Sequence, residues 1–261
     1  MNFKYWKDLF ENKNFMDRLT GKMLSDLFSR VHEFADYPFT GWNVYQLYET
    51  LRGEVIDSIR AVIIEYFDKF THQHSKDGNS RTIHYYDGWK TNKAFKIGKK
   101  VIMPMYTSKF DWIGSFYCPY KTREKLADLE KTFDYLAGTL TTSHAKLDEL
   151  LTAAAREGIT ENIKLKHFSV TFYKAGTCHI TFNDSEIVHK WNVFAGQHHK
   201  WLPPGYGEKP YQRMTPEERR TVDSFEGRES YEKTMRNPNR LFRIDPARFL
   251  PAPQPETAAA V

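Results

Sequence analysis

The sequence predicts an α+β protein: an amino-terminal helical hairpin packed on a mixed domain with a small, mainly antiparallel sheet, then an irregular carboxy-terminal arm. Two observations predict this class. Apolar residues recur at helical spacing over residues 14–70 and 122–157, and they alternate with polar residues over residues 163–182. With 261 residues, 40% of them hydrophobic, the chain is long enough to bury a sizeable core.

The amino-terminal hairpin is predicted from two amphipathic helices. The first covers residues 14–36 and ends before Pro38. The second runs from Asn43, interpreted as its N-cap, to Phe70. Because most amphipathic helices bury their apolar face, we assign both apolar faces to the core.

The central helices and strands are bounded by caps and turns. Thr122 as N-cap and Gly138 as the stop delimit one helix, and a second covers residues 143–157. A hairpin is predicted over residues 163–182, with its turn at Ala175-Gly176. These signals place a strand pair directly after two helices.

The alternation changes phase near Phe168, which predicts a β-bulge inside the hairpin.

Two further helices are predicted from their capping residues. Asp184 caps a helix that ends near Phe194, and Thr215 with Pro216 begins a short one. The chain is thereby divided into a helical region (1–78), an α+β domain (79–197), a basic arm with proline and glycine and little periodicity after residue 229 (198–250), and a disordered tail (251–261).

Residues 83–104, the basic-aromatic segment, are unusually dense in lysine and aromatic side chains. Lysines offset phosphate charge, and flat aromatic faces can stack on unpaired bases. The residues predicted to bind nucleic acid are Tyr86, Trp89, Lys90, Lys93, Lys96, Lys99 and Lys100. The alternative is a strand pair whose lysines are solvated and whose aromatic rings are core, and the sequence leaves both interpretations open.

Cysteine content and the lack of a long apolar run predict a soluble cytoplasmic protein, and no cofactor is assigned. The net charge of +5 permits a polyanionic partner. We interpret Cys118 and Cys178 as thiols of a reducing compartment, with Cys178 buried on the apolar side of its strand. The longest apolar run, residues 61–64, is too short for a membrane span, and no metal site is assigned.

Histidines suggest a second class of function, a nuclease that uses no metal. His179 shares a strand face with Thr177 and Thr181, and the candidate catalytic residues are His179 and His84, with lysine support. The alternative is a structural or solvent-facing histidine. Acidic residues of the helix after Thr122 are interpreted as an ordinary solvated, ion-paired face: Asp128, Glu130 and Asp134.

A family resemblance is carried by the stretches HYYDGWKTNKAFKIGKKVIMP, WIGSFYCPYKTREKLADLEKTFDYLAG, VTFYKAGTCHITFNDSEIVHKWN and YGEKPYQRMTPEERRTVDSFEG. On these stretches, residues 80–231 resemble a bacterial and phage family, a domain of unknown function met in mobile elements. Some members are joined to a SAM-dependent DNA methyltransferase domain. The resemblance implies work near DNA and assigns no catalytic residue. The sequence holds no glycine-rich SAM loop or DPPY-like motif, so it is not expected to methylate DNA alone.

The leading prediction is a nucleic-acid-binding accessory protein of a phage or conjugative element, with a role in restriction evasion or DNA modification. DNA is favoured over RNA as its partner, with a host defence or DNA-modification protein as a second partner and no membrane. The first alternative is the metal-independent nuclease. The second is a protein-directed inhibitor of a host defence system, which would use the segment from Trp201 to Tyr211 as its contact.

Overall fold

The computed structural model describes residues 2–10, 24–26, 28–29, 33, 36–71, 95–104, 118, 120–139, 145–174 and 176–244. Its helices are α1 (Asn2–Phe10), α2 (Gly41–Thr71), α3 (Tyr120–Ala137), α4 (Ala145–Arg156), α5 (Ser185–His198), α6 (Pro216–Phe225) and α7 (Arg228–Arg236). Its strands are β1 (Lys100–Pro104), β2 (Ile163–Lys164), β3 (Phe168–Tyr173) and β4 (Thr177–Phe182). The predicted α+β class is confirmed.

The four described strands form one antiparallel sheet in the order β1-β4-β3-β2. β3 and β4 are the predicted hairpin, and Gly176 takes a φ of 75° at its turn. The predicted bulge near Phe168 is wrong. The chain reverses there, because β2 ends at Lys164 and Leu165 donates its N–H to the Phe168 carbonyl at 2.9 Å.

One side of the sheet packs against α2, α3 and α5 in the main core. From the strands it takes apolar side chains of one parity, such as Val101, Val170 and Ile180. Trp191 of α5 lies at the centre, fully buried, and donates its indole N–H to the Ile63 carbonyl of α2 at 2.9 Å. The described helices α2, α3 and α5 therefore pack on one face of the sheet.

Three predicted caps are confirmed. Asp184 accepts from the backbone N–H groups of Glu186 and Ile187, and Thr215 forms a capping box with Glu218. Gly138 follows α3 with a φ of 68°, a left-handed conformation that favours glycine.

Two predicted caps are wrong, since both helices begin earlier. Thr40, not Asn43, caps α2, because its Oγ1 accepts from the Asn43 N–H at 3.2 Å. Thr122 lies fully buried inside the first turn of α3. Of the predicted helix over residues 14–36, residues 24–26, 28–29 and 33 are helical and most others lie outside the described residues.

Residues 202–244 form a segment with a small core of its own. A second core cluster joins Val193 of α5 to Tyr206, Val222 and Tyr231, all at most 1% exposed. Helix α7 was not predicted, because it contains few apolar residues and buries only Tyr231 and Thr234. Helix α5 thus belongs to both cores and joins the carboxy-terminal segment to the sheet.

Candidate nucleic-acid interface

The side of the sheet opposite the helical core is called the sheet face. One row of cross-strand neighbours crosses it from edge to edge: Lys100 of β1, Thr181 of β4, Ser169 of β3 and Lys164 of β2. Directly paired residues of adjacent strands point to the same face, about 4.8 Å apart. The row therefore places two lysines about 14 Å apart with two hydroxyl groups between them.

The next rows of the sheet face add an imidazole and a phenol. His179 pairs with Ile102 and Thr171, and its ring lies 4.3 Å from the Tyr173 ring between centroids. Tyr173 is 41% exposed, whereas Ile102 is buried. The sheet face is thus most accessible along the lysine row and at Tyr173.

His179 is poised as a neutral imidazole. Its Nδ1 is buried and has no hydrogen-bond partner in the described part of the chain. Partial burial lowers its pKa below the ordinary histidine value, and the positive charge of Lys100 lowers it further. With its pKa lowered, the imidazole of His179 is neutral at pH 7, which is the form that can accept a proton.

The described part of the basic-aromatic segment reaches the sheet only through β1. Lys100 lies in the lysine row, and Lys99 is exposed beside it. The ammonium of Lys96 points elsewhere: it donates to the Phe225 carbonyl at 2.7 Å and lies 5.0 Å from the Phe225 ring centroid. The other predicted site residues lie outside the described residues: His84, Tyr86, Trp89, Lys90 and Lys93.

Asn192 of α5 fixes the chain just before β1. Its side-chain oxygen accepts from the Ile97 N–H at 2.7 Å, and its amide nitrogen donates to the Ile97 carbonyl at 2.9 Å. Both partners are buried. A single side chain therefore satisfies both backbone groups of Ile97 and holds the entry to β1 against the helix.

Aromatic rings lie beside this entry. Phe95, 57% exposed, meets the Trp201 ring edge-to-face with centroids 5.1 Å apart. The His199 ring stacks on Trp201 at 4.5 Å, and its Nε2 is 2.9 Å from a carboxylate oxygen of Asp68. Trp201 therefore packs against the carboxyl end of α5 and against Phe95.

The solvated acidic face predicted on α3 is wrong. Asp134 and Glu130 are 1% and 5% exposed. The Asp134 Oδ1 lies 2.6 Å from the Lys166 ammonium and 2.5 Å from the His167 Nε2, while its buried Oδ2 lacks a partner in the described part of the chain. Burial, followed by the charge of Asp134, raises the pKa of Glu130. These carboxylates join α3 to the β2–β3 turn.

The cysteines are inert by environment. Cys118 and Cys178 are both buried and unbridged. Burial raises the pKa of the Cys118 thiol to about 12 and that of the Cys178 thiol further, so neither forms a thiolate at neutral pH. Within the described ranges, three or more metal-ligating side chains are nowhere grouped, and none of the helices has the length and apolarity of a membrane span.

Among the sheet-face residues, three that the site uses were not predicted from the sequence: Lys164, Ser169 and Tyr173. Each alternates along its strand with buried apolar residues, so the sequence already indicated that its side chain points away from the core. The alternation does not predict that β2 pairs with β3. This pairing brings Lys164 into the same row as Lys100.

Fold and site together define an α+β domain whose antiparallel sheet carries lysine, hydroxyl and imidazole groups on one face. The chain belongs to a family described as a domain of unknown function (DUF4942), whose model matches residues 1–201. The match includes the amino-terminal helices and ends where the carboxy-terminal segment begins, whereas the resemblance in the sequence was placed on residues 80–231. Neither the curated proteins nor the solved structures give a match.

Proposed function

We propose that the protein binds single-stranded nucleic acid across the sheet face, as a cytoplasmic accessory protein of a phage or conjugative element. One observation carries the proposal: the row of Lys100, Thr181, Ser169 and Lys164. Lysines and hydroxyl groups are the usual side-chain partners of phosphate oxygens. With DNA as the favoured ligand, the protein would serve restriction evasion or DNA modification.

The neighbouring rows suit a strand with unpaired bases. Two rows further along the sheet face, about 13 Å from Ser169, Tyr173 offers a 41% exposed ring. Aromatic rings stack on any base because every base has a π-face. Single strands also fit a sheet surface, as the four-stranded sheets of RNA-recognition modules illustrate by analogy. Lys99, exposed at the edge, extends the positive charge toward the basic-aromatic segment.

The first prediction concerns the two lysines of the row. Replacing Lys100 and Lys164 together by alanine should weaken single-strand binding roughly 30-fold, since each surface charge pair contributes about 1 kcal/mol. The slope of log affinity against log salt should fall by about 1.4, because two fewer counterions are displaced from a single strand. Fluorescence anisotropy with labelled DNA and RNA oligonucleotides at several salt concentrations measures both.

The matched control removes the same charge elsewhere. Lys125 and Lys146 are exposed on α3 and α4, and their double replacement by alanine should leave the affinity within about threefold. Equal losses in both double variants would mean that only net charge matters, and would reject the sheet face as the site. Absence of binding at low salt would reject nucleic acid altogether and favour the protein-directed inhibitor.

A second candidate, metal-independent cleavage of the bound strand, is favoured by the environment of His179. A neutral imidazole can take the proton of an attacking hydroxyl, and Lys100 can offset the charge that develops on the phosphate. Ring contact with Tyr173 fixes the orientation of the imidazole.

The second prediction separates cleavage from binding. If the protein cleaves, replacing His179 by alanine should reduce the rate in chelator by about 100-fold or more while binding changes little. His198 is the matched control. It lies at the surface, and its pKa is also lowered, chiefly by partial desolvation. Cleavage that survives in His179→Ala, or stops equally in His198→Ala, would exclude His179 as the base.

A further inference from the structure

A pocket of about 290 Å³ lies where the carboxy-terminal segment meets the family domain. The last turn of α3 and Lys190 of α5 form one wall, and residues 238–243 form the other. The second wall lies beyond the family match at residues 1–201. The pocket therefore exists because the carboxy-terminal segment folds back over α3 and α5, and it is close in size to the smaller ligand sites of proteins.

The second wall is held firmly in place. Arg240 donates from Nε to Glu186 of α5 at 2.6 Å and from Nη1 to the Ser230 carbonyl of α7 at 2.9 Å. Phe242 packs edge-to-face on Phe194 of α5, with centroids 5.2 Å apart. The pocket is thus built before any ligand arrives, which lowers the entropy cost of binding.

The polar groups of the pocket are cationic or neutral. Lys190 is half-buried and has no acidic partner in the described part of the chain, and the Asn239 side chain is likewise unpaired there. Arg243 also lines the pocket and lies 3.3 Å from Glu208, with both side chains exposed. The lining residues of the described chain include no Asp or Glu. The charged side chains therefore favour an anionic group, held away from the carboxyl end of α3, whose carbonyls carry partial negative charge.

The end of α3 contributes hydrogen-bond acceptors. Gly138 and Thr139 donate to the carbonyls of Tyr135 and Asp134, whereas those of Leu136 and Ala137 have no partner among the described residues. A ligand here gains from hydroxyl or amino donors as well as from an anionic group. Leu241 and Phe242 provide the apolar surface.

We propose that this pocket binds a small phosphomonoester with hydroxyl groups and an apolar body, of mononucleotide size. Lys190 and Arg243 hold the phosphate, the end of α3 accepts from the hydroxyl groups, and Phe242 with Leu241 contacts the apolar body. The site is separate from the sheet face, so it goes beyond nucleic-acid binding there. It also gives the carboxy-terminal segment a role of its own, because a bound ligand contacts both walls and stabilises their packing.

The test is isothermal titration of the full chain with four probes: adenosine 5′-monophosphate, ribose 5-phosphate, inorganic phosphate and adenosine. We expect affinity to fall in that order, with adenosine the weakest because it lacks the charge. Replacing Lys190 by alanine should weaken binding of the monophosphate about tenfold or more, and Arg243→Ala should weaken it in the same direction. Arg243 is exposed, so its variant stays informative even if Lys190→Ala fails to fold.

Lys233 provides the control, because it lies exposed on α7 outside the pocket and its replacement by alanine should leave affinity unchanged. Inorganic phosphate or adenosine binding as tightly as the monophosphate would overturn the proposed ligand class. No binding at millimolar concentration, or binding unaffected by both pocket variants, would overturn the site. The Lys100, Lys164 double variant should retain monophosphate binding, so a failure here is distinguishable from a failure of the sheet face.

Discussion

Replacement of Trp191 by alanine is expected to lower the free energy of unfolding by about 3–5 kcal/mol, the usual cost of removing a buried Trp or Phe side chain. The indole is fully buried and donates its N–H to the Ile63 carbonyl. It meets four phenylalanine rings at steep angles, and they come from α2, α3 and β4: Phe67, Phe70, Phe133 and Phe182.

Urea denaturation monitored by circular dichroism measures this loss, and the midpoint should fall by more than about 1 M. Trp42 is the matched control because it is 68% exposed, and Trp42→Ala should change stability by at most about 0.5 kcal/mol. Similar costs for the two tryptophans would contradict the assignment of Trp191 to the centre of the core.

Replacement of Glu226 by alanine should also cost about 3–5 kcal/mol, since it removes one member of a buried charged network. The carboxylate is 2% exposed and accepts from Ser230 at 2.6 Å and from the Tyr206 hydroxyl. The Nε2 of His189 of α5 lies 2.6 Å from it. The change leaves three polar groups buried without an acceptor and loosens the carboxy-terminal segment from α5.

The cost of Glu226→Ala should depend on pH. Burial alone would raise the pKa of Glu226, but hydrogen bonds from His189, Ser230 and Tyr206 outweigh it, and the folded-state pKa is lowered. An acid with a lowered pKa stabilises the fold above its unfolded pKa and loses that contribution as pH falls through the folded value. The wild-type advantage should therefore be complete at pH 7 and shrink at pH values below about 4.5.

Thermal unfolding of wild type and Glu226→Ala across pH 3–8 gives this profile. Glu229→Ala is the control, because Glu229 is 87% exposed and pairs only with Lys233 among the ion pairs of the described chain. A stability difference that stays constant down to pH 3 would show that the ionised carboxylate is not what holds the segment.

Local signals predicted the elements of the fold best. Asp184 and Thr215 cap the helices that follow them, and Gly138 ends α3, because caps depend on groups only a few residues apart. The β3–β4 hairpin followed from alternation and its Gly176 turn. Helix α7 was missed because it is short and almost wholly polar, so it offers few apolar positions from which a helix could be predicted.

Non-local contacts could not be predicted from the sequence. Glu130 and Asp134 lie at a helical spacing that suits a solvated face equally well, and only the approach of Lys166 and His167 buries them. Lys100 was predicted as a site residue from the basic-aromatic segment. Its neighbours across the sheet were not, because β1 pairs with β4, a strand far along the chain. The face to which a strand residue points can be predicted from nearby sequence, whereas its partner on the next strand depends on how the strands pair in the sheet.

The double hydrogen bond between Asn192 and Ile97 has a mechanical consequence. Asn192 precedes Val193, which belongs to the second core, and follows Trp191, which belongs to the first. A force applied to the chain before β1 is therefore transmitted to α5, at the position where the helix packs into both cores. The start of β1 is thereby connected through α5 to the carboxy-terminal segment as well as to the main core.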